Sequence, residues 1–269
     1  MNPSTPRVPP GPLPRNAWGK VWLVGAGPGD PELLTLKAVS CLQRADVVFV
    51  DDLVNPEVLH HATPRARVVR VGKRGGCAST PQAFIERAMV HEATQGREVV
   101  RLKGGDPMIF GRGGEELTAL RTAGVTAEVV NGITSGLAAV TGMGCALTHR
   151  SHAQGVVLLT GHSHRPGQGP DWCQVGQAMA SLHLTLVVYM GVGQLASIAH
   201  GLSQSLPGHT PAALVQHASL PQQRQWLTPL GTLAQTAQAA GVSSPAVVVV
   251  GHVLSGLAKL QPQPARHSA

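Results

Sequence analysis

The stretch Val99-Val-Arg-Leu-Lys-Gly-Gly-Asp-Pro-Met-Ile-Phe-Gly-Arg-Gly-Gly-Glu-Glu116 gathers chemistry-capable side chains where an apolar run ends. Its glycines leave the main chain open to close approach, and Pro107 stiffens a loop that also carries both signs of charge. A second such place is Val21-Trp-Leu-Val-Gly-Ala-Gly-Pro-Gly-Asp30, where a strand-like run enters a turn. The context suits a Rossmann phosphate site, but the detail does not. Counting from Gly25 gives G-x-G-x-G, and Asp30 stands where the third glycine of G-x-G-x-x-G belongs. Pro28 has no N–H to offer a pyrophosphate, and the Asp30 carboxylate would repel one. Asp51 and Asp52 could imitate a ribose-binding acid, so a dinucleotide-dependent oxidoreductase stands as a decoy. A neutral or cationic ligand suits the turn better than a phosphate. A tight structural turn with no ligand is the plainer alternative.

The formal charge is +7, yet charged residues are only 13% of the chain, so the excess reflects scarce acids rather than a dense basic tract. With aromatics at 3%, little is left for base stacking, which argues against nucleic acid. A small polyanionic substrate fits the charge, and so does plain solubility. Cys41, Cys77, Cys145 and Cys173 lie far apart with no C-x-x-C pair, indicating neither zinc nor a disulfide framework. No long apolar run suggests a membrane span, and the proline-rich beginning lacks a signal-like core, so a cytoplasmic protein is expected.

These residues need elements to hold them. Short β-rich runs alternate with helical stretches, the pattern of an α/β protein with mainly parallel, mixed sheets. Strands are expected at 20–24, 47–50, 68–71, 99–102 and 127–130, then at 155–160, 184–189, 212–216, roughly 223–227 and 246–250. A first helix is expected from Pro31 to Arg44, and others after Thr80-Pro81, Gly113-Gly114 and Thr134-Ser135. The polar, His-rich segment 144–154 predicts a boundary between an N-terminal α/β domain, 19–150, and a C-terminal one, 151–260. Composition predicts disorder at 1–18 and 261–269, and a surface loop at Pro166–Pro170.

Taken in order, Val24-Gly-Ala-Gly-Pro-Gly-Asp-Pro-Glu-Leu-Leu-Thr-Leu36, Val71-Gly-Lys-Arg74, the 99–116 stretch, Gly132-Ile-Thr-Ser135, Leu147-Thr-His-Arg150 and Tyr189-Met-Gly191 carry a likeness. The chain closely resembles the uroporphyrinogen-III C-methyltransferases, within the tetrapyrrole methylases, from about residue 19 to 259. The resemblance implies a two-domain fold, a homodimer, and S-adenosyl-L-methionine held in the cleft between domains. It implies two successive methyl transfers to positions 2 and 7 of uroporphyrinogen III, giving precorrin-2 for sirohaem and/or cobalamin, with S-adenosyl-L-homocysteine as by-product and no metal. The length leaves no room for the dehydrogenase and ferrochelatase module that some relatives carry.

By the same resemblance, Pro28, Gly104, Gly105, Asp106, Ile109, Thr134, Ser135, Met190, Ala218 and Ala246 line the donor site. Taken alone, Met190 reads as core and Thr134-Ser135 as a helix N-cap. Matching the motif at Val48-Phe-Val-Asp-Asp-Leu-Val54 makes Asp51 the candidate proton acceptor and Lys73 the candidate donor. Asp51 could instead end a strand structurally, and Lys73 could anchor a carboxylate. The substrate's eight carboxylates call for cations, and Arg74, Arg112, His149 and Arg150 are the candidates. Two departures from the family pattern stand out: Asp52 where an arginine is common, and Asn131 in place of a proline, the second expected to change only loop stiffness. A later precorrin methyltransferase and a non-catalytic tetrapyrrole-binding protein are the competing readings.

Overall fold

The computed structural model describes residues 13–72, 80–162 and 169–258. The chain forms two compact units, Met1–Ile133 and Thr134–Ala269. The division falls between Ile133 and Thr134 rather than after Arg150.

The first unit carries one five-stranded, wholly parallel sheet in the order β3-β2-β4-β1-β5. Its strands are β1 (Val21–Gly25), β2 (Val47–Val50), β3 (Arg67–Arg70), β4 (Val99–Lys103) and β5 (Ala127–Val130). β1, β2 and β4 are buried along their whole length, covered on both faces, and in β4 that burial takes in Arg101 and Lys103. Alternation sends Trp22, Val24, Val48, Val50, Val100 and Leu102 to the face covered by α1 (Leu36–Arg44), through Ala38, Cys41 and Leu42. Val21, Leu23, Val47, Phe49 and Val99 face the other way, against Ile85 and Met89 of α2 (Gln82–Thr94) and Leu120 of α3 (Gly113–Thr122).

The first helix begins later than Pro31. Pro31–Leu33 make a 3-10 turn whose Glu32 amide is capped by Asp30 Oδ1 at 2.9 Å, and α1 starts at Leu36 behind a second cap, Thr35 Oγ1 accepting from the Ala38 amide at 3.1 Å. Two caps five residues apart break one expected helix into two pieces. Residues 13–18 pack back onto the end of α2. The Leu13 amide donates to the Thr94 carbonyl at 2.9 Å, and Trp18 Nε1 donates back to the Leu13 carbonyl at 2.6 Å. Residues 1–12, and the whole tail expected at 261–269, lie outside the described residues, as does most of the Pro166–Pro170 loop.

The second unit carries α4 (Ser135–Gly142), β6 (Gly155–Thr160), α5 (Trp172–Leu182), β7 (Leu184–Tyr189), α6 (Leu195–Ser203), β8 (Pro211–Gln216), β9 (Arg224–Pro229), α7 (Leu233–Ala239), β10 (Ala246–Val250) and α8 (Ser255–Ala258). Its sheet runs β6-β7-β10-β8-β9; β6 and β7 are parallel and the other pairs antiparallel. Leu186, Val188, Leu214 and Val248 pack with Ile198, Leu202 and Leu233 from the helices on one face. α4 packs on β7 and β10, and this is why residues from Thr134 onward belong with the second unit.

Candidate functional site

In a parallel sheet, loops at the carboxyl ends of strands are where ligands bind, because every strand there hands over to a turn free of sheet pairing. At that edge of the first unit, β1 ends on Gly25, and β4 and β5 lead two residues on to Gly105 and Gly132. A Cβ on Gly132 would sit 2.2 Å from the Gly105 carbonyl oxygen, and one on Gly25 would sit 2.5 Å from the Gly132 amide nitrogen. These glycines thus let three backbones meet one another. Gly27 and Gly105 exchange amide bonds of 3.2 and 2.7 Å, tying the β1 loop to the β4 loop. Pro28 is half-buried beside them.

Asp106 is buried, and its carboxylate is fully engaged by the protein. Oδ1 accepts from the Met108 amide at 2.8 Å; Oδ2 accepts from the Gly132 amide and from Asn131 Nδ2, each at 3.1 Å. Asn131 therefore does more than alter loop stiffness: it supplies a donor that proline cannot. Ile109, half-buried, closes the turn by donating its amide to the Asp106 carbonyl at 3.3 Å.

Asp51 follows β2, anchored by its amide to the Leu102 carbonyl at 3.1 Å. Its Oδ1 lies 2.5 Å from Arg101 Nη2 and its Oδ2 lies 3.8 Å from Lys103 Nζ. Behind these two buried cations stands the fully buried Glu116 on α3, 3.0 Å from Arg101 Nε and 3.1 Å from Lys103 Nζ. Gln82 Nε2 donates to the same carboxylate at 3.0 Å. Burial pushes the Lys103 ammonium below the usual lysine range, and Arg101 beside it adds to the shift, against the pull of Glu116 and Asp51. None of Arg101, Lys103, Glu116 or Gln82 was singled out by the sequence reading. The available signal was two cations at i and i+2 within an otherwise apolar strand, hence on one face.

Arg112 adopts a left-handed conformation, φ 58°, at the start of α3, and forks onto Glu115 at 3.0 and 2.5 Å. That hydrogen bond holds its guanidinium above the usual arginine range. Lys73 and Arg74 lie outside the described residues, and Asp52 is exposed.

In the second unit, Thr134 occupies the N-cap position of α4 but makes no side-chain cap. Tyr189, ending β7, does so instead: its hydroxyl accepts from the Gly136 amide at 3.0 Å and shares a 2.8 Å hydrogen bond with Thr134 Oγ1. A Cβ on Gly136 would meet that hydroxyl at 2.3 Å, so the helix start needs glycine there. Burial raises the Tyr189 phenol above its ordinary value, with Thr134 and Gly136 acting against that rise. Met190 follows at φ 54° and is 51% exposed, so it is not core. A left-handed non-glycine residue costs about 1 to 2 kcal/mol and clusters at ligand sites. Ala218 is flanked by two more, His217 at φ 53° and Ser219 at φ 66°. Ala246 opens β10 opposite Gln216, and Ser135, half-buried, opens α4.

His149 and Arg150 sit on an exposed turn closed by reciprocal 2.9 Å bonds between His149 and Ala153. The His149 ring stacks on His152 with centroids 4.6 Å apart, and its Nδ1 accepts from the Ser151 amide at 3.1 Å. Arg150 borders a small pocket of about 130 Å³ with His152 and His183. A cavity of about 670 Å³ lies instead at the C-terminal ends of α2 and α3, beside Trp18, and no candidate site residue lines it. Among the described residues no group of three or more His, Cys, Asp or Glu side chains is placed to hold a metal, and no helix is long and apolar enough to cross a membrane.

The family model for Tetrapyrrole (Corrin/Porphyrin) Methylases matches residues 20–234. The chain is 55% identical over 236 residues to a curated uroporphyrinogen-III C-methyltransferase of Pseudomonas aeruginosa, covering 87% of this chain and 94% of that one. Among solved structures it matches a uroporphyrin-III C-methyl transferase from Thermus thermophilus complexed with S-adenyl homocysteine, at 41% identity and a TM-score of 0.74, covering 88% of this chain and all of that one. A cobalt precorrin-4 methyltransferase matches at 26% identity and a TM-score of 0.79, covering 91% and 99%.

Proposed function

The chain belongs to the tetrapyrrole (corrin/porphyrin) methylases, and on that premise we propose its reaction: S-adenosyl-L-methionine-dependent methylation of uroporphyrinogen III at positions 2 and 7 to precorrin-2, as a uroporphyrinogen-III C-methyltransferase. The product serves sirohaem and/or cobalamin synthesis. The observation that carries this is 55% identity spread over 94% of a relative bearing that activity. At 26% identity, the precorrin-4 enzyme supports the fold and the donor more than its own substrate.

The donor supplies an electrophilic methyl on a sulfonium, together with adenosine and amino-acid ends that ask for main-chain contact rather than a phosphate cradle. The residues fit such a group. Gly104 and Gly105 present backbone without side chains after β4; Pro28 offers no amide to a phosphate; Met190 is exposed in a strained conformation that internal packing does not require. On the family resemblance we assign Pro28, Gly104, Gly105, Asp106, Ile109, Thr134, Ser135, Met190, Ala218 and Ala246 to donor binding. Asp106 serves by fixing the β4 and β5 loops, since its oxygens are taken up by Met108, Asn131 and Gly132.

The nucleophile is an electron-rich ring carbon, and a proton must later leave the ring system. Asp51, 30% exposed at the mouth of its ion-pair cluster, is the acceptor in this reading, and Lys73 the donor. Arg74, Arg112, His149 and Arg150 meet the substrate's carboxylates. The enzyme acts as a cytoplasmic homodimer. Titrating the full chain with S-adenosyl-L-homocysteine by calorimetry tests the donor assignment: micromolar binding that Met190→Ala weakens supports it, and binding unaltered in that variant removes Met190 from the site.

A further inference from the structure

The charged cluster behind Asp51 has a shape that stability alone does not call for. Buried ion pairs of this kind are often matched or surpassed in stability by apolar side chains of equal volume. Here the cluster is built in layers. Glu116, with no exposed side-chain surface, is innermost; Arg101 and Lys103, 2% and 4% exposed, form the middle; Asp51, 30% exposed, is outermost. Gln82 Nε2 adds a neutral donor to Glu116 from the start of α2. Two cations therefore stand between two carboxylates, and only the outer carboxylate meets solvent appreciably.

We propose that Glu116 is a positioning residue that acts on Asp51 through Arg101 and Lys103. The claim rests on the reading of Asp51 as proton acceptor. By neutralising one of the two cations, Glu116 leaves Asp51 facing one net positive charge rather than two. A carboxylate against two uncompensated cations is held in place but is a poor base; against one it stays oriented and still takes a proton. Among the described residues the cations within 4 Å of Asp51 are Arg101 and Lys103, both from β4; Glu116 approaches from α3, and Asp52 is the adjacent charge in the turn after β2.

The test is the pH dependence of kcat for methyl transfer in the full-length enzyme, compared among wild type, Glu116→Gln, Lys103→Met, the double variant and Asp51→Asn. The substrate's own carboxylates titrate alike in every case, so only differences are read. Glu116→Gln should move the acid limb down by about one pH unit, with about a tenfold lower plateau rate, because Asp51 becomes a weaker base. Lys103→Met should move the limb up by a similar amount. The double variant, which restores the charge balance, should return it to the wild-type position. Should Glu116→Gln fail to fold, Lys103→Met and the double variant still decide the question. Limbs that stay at the wild-type pH in folded variants, with activity merely reduced, would overturn the proposal and leave Glu116 a structural anchor. Asp51→Asn with wild-type kcat would sink the Asp51 reading itself, and this proposal with it.

Discussion

The Asp106 carboxylate accepts the Gly132 amide at 3.1 Å, and with the Asn131 Nδ2 bond to the same oxygen this contact ties the loop after β4 to the loop after β5. The two loops hold Gly104, Gly105 and Ile109 on one side and the approach to Thr134 on the other, so their mutual position is set by a residue that does not itself face outward.

Asp106→Ala removes three hydrogen bonds at once and leaves the Gly132 amide seeking water. The loss should be about 2 to 4 kcal/mol of unfolding free energy, given about 1 kcal/mol per bond and a penalty for the stranded amide. Denaturant unfolding reads that loss, and the donor KM should rise at least tenfold by the same cause. A variant of wild-type stability would show the carboxylate contributes nothing to loop position.

Asn131→Pro deletes only the Nδ2 bond to Asp106 and gains chain stiffness in the unfolded state. Those effects are each about 1 kcal/mol and opposed, so stability should change by less than about 1 kcal/mol and donor KM by less than threefold. Comparing melting curves and KM values for the two variants at 106 and 131 separates the loop anchor from its accessory.

Tyr189 is the chain's single tyrosine, so tyrosinate absorbance reports this residue alone. Its phenol is raised by burial, and a phenol raised on folding binds its proton more tightly in the native state. Stability from this group is therefore complete below about pH 10, the unfolded value, and is lost as pH rises through the native value. Spectrophotometric titration of the folded protein should give a midpoint above 10, falling to the ordinary value in denaturant. Tyr189→Phe should abolish the alkaline loss and cost about 1 to 3 kcal/mol, because the buried Gly136 amide and Thr134 hydroxyl lose their partner.

Arg112→Ala should change stability by less than about 1 kcal/mol, since its pair with Glu115 is half exposed on each side. Uroporphyrinogen III KM should nonetheless rise strongly in that variant and in Arg150→Ala, with donor binding nearly unchanged; a substrate KM that stays at the wild-type value removes either residue from the substrate site.

Much of the fold could be read from the sequence because its strands are uninterrupted apolar runs between glycine-rich turns. The bounds 47–50, 127–130, 155–160, 184–189 and 246–250 coincide with the observed strands. What escaped reading was decided by hydrogen bonds rather than pattern. Thr35 and Asp30 each cap a turn, so a helix expected from Pro31 begins at Leu36. Tyr189, 53 residues beyond Gly136 in sequence, caps α4 where Thr134 was the local candidate. The alternation of Arg101 and Lys103 along β4 was visible, but their partners Asp51 and Glu116, and Gln82 that donates to Glu116, come from three other segments that only the folded sheet brings together.

The central claim is tested most directly by incubating the purified chain anaerobically with isotopically labelled S-adenosyl-L-methionine and enzymatically made uroporphyrinogen III, then weighing the tetrapyrrole. The account requires two labelled methyl groups per ring system in the end product, with a singly methylated species appearing first. A tetrapyrrole that carries no label, or transfer only to an already methylated precorrin, would contradict it.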